Sequence, residues 1–173
     1  MNLKNIFQRK ATVHYKVDMD KVIEFVTKGY KLGDLHGLPH WQRVERNGSI
    51  LAQPGVNPYV VKLFAYFHDA CRESDGRDIE HGIRAAKMIE SLRSTLLKNL
   101  TNNEFLQLMA ACELHTTTIR VGDLTIDTCF DADRLDLGRC GIVIAPNRMA
   151  TSKGRFFAEN IDLFNTTYHN DGL

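Results

Sequence analysis

The chain has 173 residues, a length typical of one domain with its own hydrophobic core. Its 22 Lys and Arg residues nearly balance its 21 Asp and Glu residues, so the formal net charge is only +1. This balance leaves no basic excess for neutralising a phosphate backbone, and a polymeric nucleic-acid partner is not indicated. A small phosphorylated ligand remains compatible, because it needs only a local group of basic side chains.

The four cysteines are widely separated and form no close pair of the kind found in zinc ribbons or redox motifs. We interpret Cys71, Cys112, Cys129 and Cys140 as reduced core residues. Residues 1–10 contain no apolar run of signal-peptide length, and no later stretch reaches the length of a membrane span. The sequence therefore predicts a cytoplasmic protein without a membrane partner.

The spacing of apolar residues predicts an all-α fold, a single domain of about six to eight helices. Residues 1–16 form a weakly patterned lead-in with at most a short strand at 11–15, and the helical domain spans 17–173. Asn57, Asp78 and either Asn102 or Asn103 stand where helix N-caps belong. Helices are expected at 17–30, 38–52, 58–71, 78–97, 102–115, 125–137 and 156–164, with a loop over 142–153.

The helix expected at 58–71 is the most apolar segment, yet it ends in two polar residues that continue its buried lines. His68 follows Phe64 by four residues, and Asp69 follows Ala65 in the same way. A carboxylate buried without a partner costs several kcal/mol, or stays protonated. The pattern therefore predicts that a cation meets Asp69.

Four further expected helices each place one metal-capable side chain on their apolar face. Any single one has an ordinary explanation: an inward histidine is usually a hydrogen-bonded core residue, and an inward aspartate is often held by an arginine or by backbone amides. Five helices that point such groups inward favour a shared cation instead. The four residues are His40, His81, His115 and Asp133.

The set of two histidines and two aspartates offers nitrogen and oxygen ligands without a thiolate. This suits octahedral Mn²⁺, Fe²⁺, Ni²⁺ or Mg²⁺ and, less typically, Zn²⁺. Water would fill the remaining positions, which is typical of a catalytic rather than a structural site.

The order histidine, His-Asp, distant aspartate resembles the signature of the HD superfamily of metal-dependent phosphohydrolases. The segments HWQRV at 40–44, FHD at 67–69 and ADRL at 132–135 are similar to the family motifs, and the likeness covers residues 35–141. The resemblance implies that the cation is bound by four residues, His40, His68, Asp69 and Asp133. His36 remains an alternative to His40, and Asp131 or Asp136 to Asp133.

The resemblance also gives His81 and His115 three open roles: a second metal, phosphate binding, or packing in the core. Some two-metal members of the superfamily carry additional histidines at such places. The Gly-Tyr-Pro motif and paired histidines of the cyclic-dinucleotide branch are absent, since His115 is followed by three threonines. This argues against a cyclic diguanylate phosphodiesterase.

The expected function is hydrolysis of a phosphate monoester or diester, of a nucleotide or related small molecule, by a metal-activated water. Asp69 would orient or deprotonate that water, with His68 beside it as the second catalytic residue. Basic residues near the ligands in sequence would hold the phosphate: Arg43, Arg72, Lys87 and Arg134.

Two rival functions stay open on the same scaffold. One is a regulatory module that binds a nucleotide or metal without turnover, and the other is an iron-dependent oxygenase. A homodimer is also left open, because no residue pattern indicates or excludes it.

Overall fold

The computed structural model describes residues 16–168, so the short strand expected at 11–15 lies outside the described residues. Within this range the chain forms eight α-helices and no strand, which confirms the all-helical prediction. Two 3-10 turns, Leu137–Cys140 and Pro146–Arg148, lie between the sixth and seventh helices. The helices are α1 (Met19–Gly29), α2 (Leu38–Leu51), α3 (Pro58–Phe67), α4 (His81–Ser91), α5 (Asn102–Leu114), α6 (Leu124–Arg134), α7 (Ser152–Glu159) and α8 (Ile161–Tyr168).

α3 forms the centre of the molecule and packs against α1, α2, α5 and α6. Its residues Val60, Leu63, Phe64 and Phe67 are completely buried, as its nearly continuous apolar sequence predicts. Each such side chain contributes roughly 1.5 to 3 kcal/mol by leaving water. Asn57 caps the helix as expected, since its side chain accepts hydrogen bonds from the backbone N–H groups of Tyr59 and Val60.

Several helix ends differ from the sequence prediction. α3 ends at Phe67 rather than at residue 71, so His68 and Asp69 lie in the tight turn that follows. The predicted cap Asp78 is wrong, because α4 begins at His81 and the Asp78 carboxylate instead binds Arg84 and the backbone N–H of Glu73.

The cap of α5 is also corrected: it is Thr101, not Asn102 or Asn103. Thr101 and Glu104 form a capping box, in which each side chain accepts a hydrogen bond from the other residue's backbone N–H. α4 ends at Ser91, and residues 92–99 continue as turns. The single helix expected at 156–164 is divided into α7 and α8 around Asn160.

Two glycines allow the helices that carry polar ligands to approach closely. A Cβ at Gly48 on α2 would overlap Val61 on α3, and a Cβ at Gly82 on α4 would overlap the Cys112 carbonyl of α5. Both glycines are therefore required for these helix–helix distances. Gly82 follows His81 directly, so the close contact positions that histidine beside α5.

No helix in residues 16–168 combines the length and the hydropathy needed to cross a lipid bilayer.

Candidate metal centre

The first group of expected ligands comes together where α2, the turn after α3, and α6 meet. His40 Nε2 lies 3.0 Å from His68 Nε2, 3.6 Å from Asp69 Oδ2 and 3.4 Å from Asp133 Oδ1. His68 Nε2 lies 3.7 Å from each of the same two carboxylate oxygens. Ligand atoms bound about 2.1 Å from one ion in octahedral geometry lie about 3 Å apart, so these four atoms are nearly at ligand spacing.

The second group lies on the other side of Asp69 and includes residues from α4 and the end of α5. His81 Nε2 is 3.0 Å from Asp69 Oδ1 and 2.8 Å from His115 Nε2, and His115 Nε2 is 3.8 Å from Asp69 Oδ1. All three side chains are buried. Asp69 thus directs one oxygen to each group, and the ligand atoms within each group are close enough together to be candidates for holding one metal ion.

The hydrogen bonds of the four histidines define which ring nitrogen is available. His68 Nδ1 donates to the carbonyls of Phe64 and Ala65, and His40 Nδ1 donates to Asp136 Oδ2 over 2.7 Å. In the second group, His115 Nδ1 donates to the Cys112 carbonyl over 2.7 Å, and His81 Nδ1 to the Asp78 carbonyl. Because these oxygen atoms accept hydrogen bonds, Nδ1 carries a proton in every ring, and Nε2 is the nitrogen that each ring directs to the centre.

The electrostatics of the first group suit metal binding. Burial lowers the pKa of His40 to about 4, against the opposing effect of its hydrogen bond to Asp136, so the ring is neutral at pH 7. Burial alone would raise the pKa of Asp133, but the hydrogen bond from His68 and the neighbouring positive charges outweigh it and lower that pKa. Burial would also raise the pKa of Asp69, but the charge of His68 and the other neighbouring histidines outweigh it and keep that pKa well below its usual value. The centre therefore combines a neutral His40 with two ionised carboxylates.

Two features of these residues are those expected around a bound cation. With Nδ1 already engaged, the paired Nε2 atoms approach each other to 3.0 Å and 2.8 Å, distances that require a proton or a metal ion between them. Asp69 Oδ1 is buried and accepts no well-formed hydrogen bond from the described part of the chain. A divalent cation in each group would supply the missing partner.

Asp136 and Arg43 form a support behind the first group. Asp136 Oδ2 accepts the His40 Nδ1 proton, while its Oδ1 binds Arg43 Nε at 2.8 Å. Burial alone would raise the pKa of Asp136. The hydrogen bonds from His40 and Arg43 have the larger, opposite effect, so the pKa is lowered overall and the carboxylate is ionised. Arg43, expected to hold the phosphate, is therefore engaged behind His40 and is not among the residues lining the cavity.

The alternatives left open by the sequence are distinguished by geometry. His36 lies beside Asp69, with its Nδ1 3.0 Å from Asp69 Oδ2, but it belongs to neither ligand group. Asp131 turns away from the centre and accepts hydrogen bonds from Ala150 N and from Thr151 N and Oγ1. Asp133 is the aspartate of α6 that faces His40 and His68.

A cavity of about 400 Å³ opens in front of the ligands, and Asp69, Asp133, His81 and His115 form its floor. His40 and His68 lie below this floor and do not line the cavity.

The expected phosphate-binding residues lie in very different places. Arg72 lines the cavity, and its guanidinium is 3.5 Å from Asp69 Oδ1. Arg134 also lines it, but donates to the carbonyls of Thr118, Ile119 and Arg148 and so holds the walls together. Lys87 is exposed on α4, away from the cavity lining.

Sequence reasoning missed Arg139, which lies in the first 3-10 turn after α6. Its guanidinium nitrogens are 3.9 Å from both Asp69 Oδ2 and Asp133 Oδ1, and they border the cavity. The turn has no helical periodicity, so the spacing of residues carried no signal for this position.

Comparisons with protein-family models, curated proteins and solved structures gave no match for this chain.

Proposed function

We propose that this chain is a dinuclear metal-dependent phosphohydrolase of the HD type, which hydrolyses a phosphate monoester or diester of a small molecule such as a nucleotide. The observation that carries the proposal is the position of Asp69, which faces the His40 and His68 group with Oδ2 and the His81 and His115 group with Oδ1. A carboxylate shared between two adjacent cation sites is typical of enzymes that clamp a phosphoryl group between two metals.

Divalent cations bound in such a pair polarise the phosphoryl oxygen and lower the pKa of a water molecule, which becomes the nucleophile. The protein's own part is to hold the ligands in fixed directions, through the Nδ1 hydrogen bonds, and to keep His40 neutral by burial. Asp69 lines the cavity, and with one oxygen directed to each group it would hold the cations that activate the water rather than accept the water's proton. His68 acts from below the floor, as a ligand rather than through contact with substrate.

The ligand types indicate which metals would be used. Four imidazoles and two carboxylates form the two groups together, and imidazole-rich sites favour transition metals such as Fe²⁺, Mn²⁺ or Ni²⁺ over Mg²⁺. We therefore propose a transition metal in both positions.

Elemental analysis of the purified protein, combined with a phosphate-release screen over nucleotides and sugar phosphates, tests the proposal. We expect two transition-metal ions per chain and phosphate release from at least one ester. Asp69→Asn should lose both ions and the activity, whereas Asp162→Asn, at an exposed carboxylate on α8, should keep both. Circular dichroism establishes that each variant is folded. Full metal content and activity in Asp69→Asn would contradict the assignment.

A second candidate is an iron-dependent oxygenase, because a shared carboxylate with two imidazoles on each side is also suited to a pair of iron ions. Oxygen consumption by the iron-loaded protein, without phosphate release from any ester, would favour it. Metal binding without either reaction would instead favour a regulatory module.

A further inference from the structure

The cavity has a second half that the metal ligands do not occupy. Above the floor, its lining includes Arg139 and residues 142–145 of the segment 141–145, which follows the 3-10 turn. A volume of about 400 Å³ is in the range of pockets for a single small molecule.

Arg139 is fixed in place by the backbone rather than by the ligand carboxylates. Its Nε donates to the Leu35 carbonyl over 2.8 Å, and one Nη donates to the Asp136 carbonyl over 3.1 Å. Its Nη2 also lies 3.2 Å from His36 Nδ1, so three of the five guanidinium N–H groups have partners. The distances of 3.9 Å to Asp69 and Asp133 are too long for hydrogen bonds, and one N–H of each Nη remains available to a ligand. A guanidinium held rigidly opposite a cation site is suited to an anionic oxygen bound between the two.

The other basic residues of the cavity are less suited to this role. Arg134 donates its N–H groups to three carbonyls, and Arg72 donates to the carbonyls of Ser74 and Gly76. Arg148 also lines the cavity, but its side chain is exposed to solvent, whereas Arg139 lies within 4 Å of both carboxylates of the floor. Arg139 is therefore the cationic side chain best placed to contact a phosphoryl group at the floor.

The wall beside Arg139 is apolar. The segment 141–145 reads Gly-Ile-Val-Ile-Ala, and a left-handed Gly141, with φ of +70°, begins it. Ile142 and Val143 are 51% and 87% exposed, which is unusual for large aliphatic residues, and Ile119, which lines the same cavity, is 47% exposed. A charged group against this wall would lose water without gaining a partner, whereas an uncharged group would cover exposed apolar surface.

From these positions we infer that Arg139 and the apolar segment 141–145 form the substrate-binding half of the site. Arg139 binds the phosphoryl group, and the wall selects compounds whose organic part carries no charge. This inference rests on the proposed function, and it adds the residues and the substrate chemistry that would determine specificity.

The test measures binding by isothermal titration calorimetry to the Mn²⁺-loaded protein, with phosphonates that cannot be hydrolysed at phosphorus. Phenylphosphonate and 4-phosphonobenzoate form a matched pair that differs by one carboxylate. We expect phenylphosphonate to bind about tenfold more tightly. Ile142→Asp should remove this preference and leave the binding of inorganic phosphate unchanged, whereas Arg139→Gln should weaken all three ligands at least about tenfold.

Leu106→Asp on α5 and Arg155→Gln on α7 make the same charge changes at exposed positions outside the cavity, and both should bind like the wild type. Metal content and thermal melting are measured for every variant. Because Ile142 is exposed, Ile142→Asp should fold normally. If Arg139→Gln does not fold, the loss of ligand preference in Ile142→Asp still tests the inference.

The inference is overturned if folded, metal-loaded Arg139→Gln binds phosphate like the wild type. It is also overturned if both phosphonates bind equally, or if no phosphonate binds at all. Failure of the proposed function would give a different result. In that case the phosphonates would still bind as expected, but the protein would release phosphate from none of the esters.

Discussion

His40 donates its Nδ1 proton to Asp136 Oδ2 over 2.7 Å, across 96 positions of the sequence. This hydrogen bond joins α2 to the turn after α6 and determines that His40 presents Nε2 to His68. Asp136 is in turn held by Arg43. Asp136 and Arg43 thus determine both the orientation of the His40 ring and the position of the proton on its Nδ1.

Removing the support of His40 should weaken metal binding without abolishing it. Asp136→Asn is expected to lower the affinity of the first group by about 10- to 100-fold, because the amide holds the imidazole less firmly and lacks the charge. Competition with a chelator of known affinity measures the change. The Asp162→Asn variant should match the wild type. An unchanged affinity in folded Asp136→Asn would mean that Asp136 does not support the ligand.

The two groups should lose their ions separately when one histidine is replaced. We expect His81→Gln to keep one ion per chain, held by His40, His68 and Asp69 with Asp133 beside them. His40→Gln should retain chiefly the ion beside His81 and His115. Elemental analysis after desalting counts the ions. His36→Gln is the matched control, since that ring touches Asp69 but lies in neither group, and it should keep both ions. A control that loses an ion would instead place His36 among the ligands.

Replacing Gly82 should separate α4 from α5. The Cβ in Gly82→Ala would overlap the Cys112 carbonyl, and backbone cannot move aside cheaply, so we expect a loss of about 1 to 3 kcal/mol in the free energy of unfolding. Urea denaturation of the chelated protein measures it. Gly29→Ala, in a helix where an added Cβ meets nothing within 4 Å, should be neutral or slightly stabilising. Equal stability of the two variants would contradict the close approach.

Glu104 should make stability depend on pH in the acid range. Burial opposes its ionisation, but bonds from Lys16, Thr101 and Asn57 outweigh this and lower its pKa from 4.5 to about 2. A carboxylate with a lowered folded-state pKa contributes its full stability above about pH 4.5 and loses it as the pH falls towards 2. Glu104→Gln should therefore cost about 1 to 3 kcal/mol at pH 7 and much less at pH 2.

Urea denaturation of the wild type, Glu104→Gln and Glu159→Gln at pH 7, pH 4 and pH 2 examines this. Glu159 is exposed at the end of α7, so its variant should follow the wild-type profile. If Glu104→Gln is as sensitive to acid as the wild type, another group is responsible.

The helices and the inward ligands could be predicted because the buried face of a helix requires apolar residues at regular three- and four-residue spacing. His68 and Asp69 extend the buried lines of α3, and the structure places both inside. Asp133 interrupts an apolar face in the same way. These positions were readable because a polar residue among regularly spaced apolar ones is costly unless it has a partner.

The supporting and substrate-binding residues could not be predicted in this way. Arg139 lies in a 3-10 turn without a face, and its place depends on a carbonyl 104 positions earlier. Arg43 is close to His40 in sequence, but its binding to Asp136 depends on how α2 packs against α6. Lys87 shows the reverse error, because nearness to His81 along the chain does not bring it to the same side of α4.

The shared position of Asp69 means that the two ions cannot fill their places independently. The first ion to arrive would draw electron density from the common carboxylate and repel the second, so the second should bind more weakly. A titration would then show two successive affinities in the wild type. The protein could consequently exist as a one-ion form over a range of metal concentrations, and cellular supply of the metal would determine how much of it is complete.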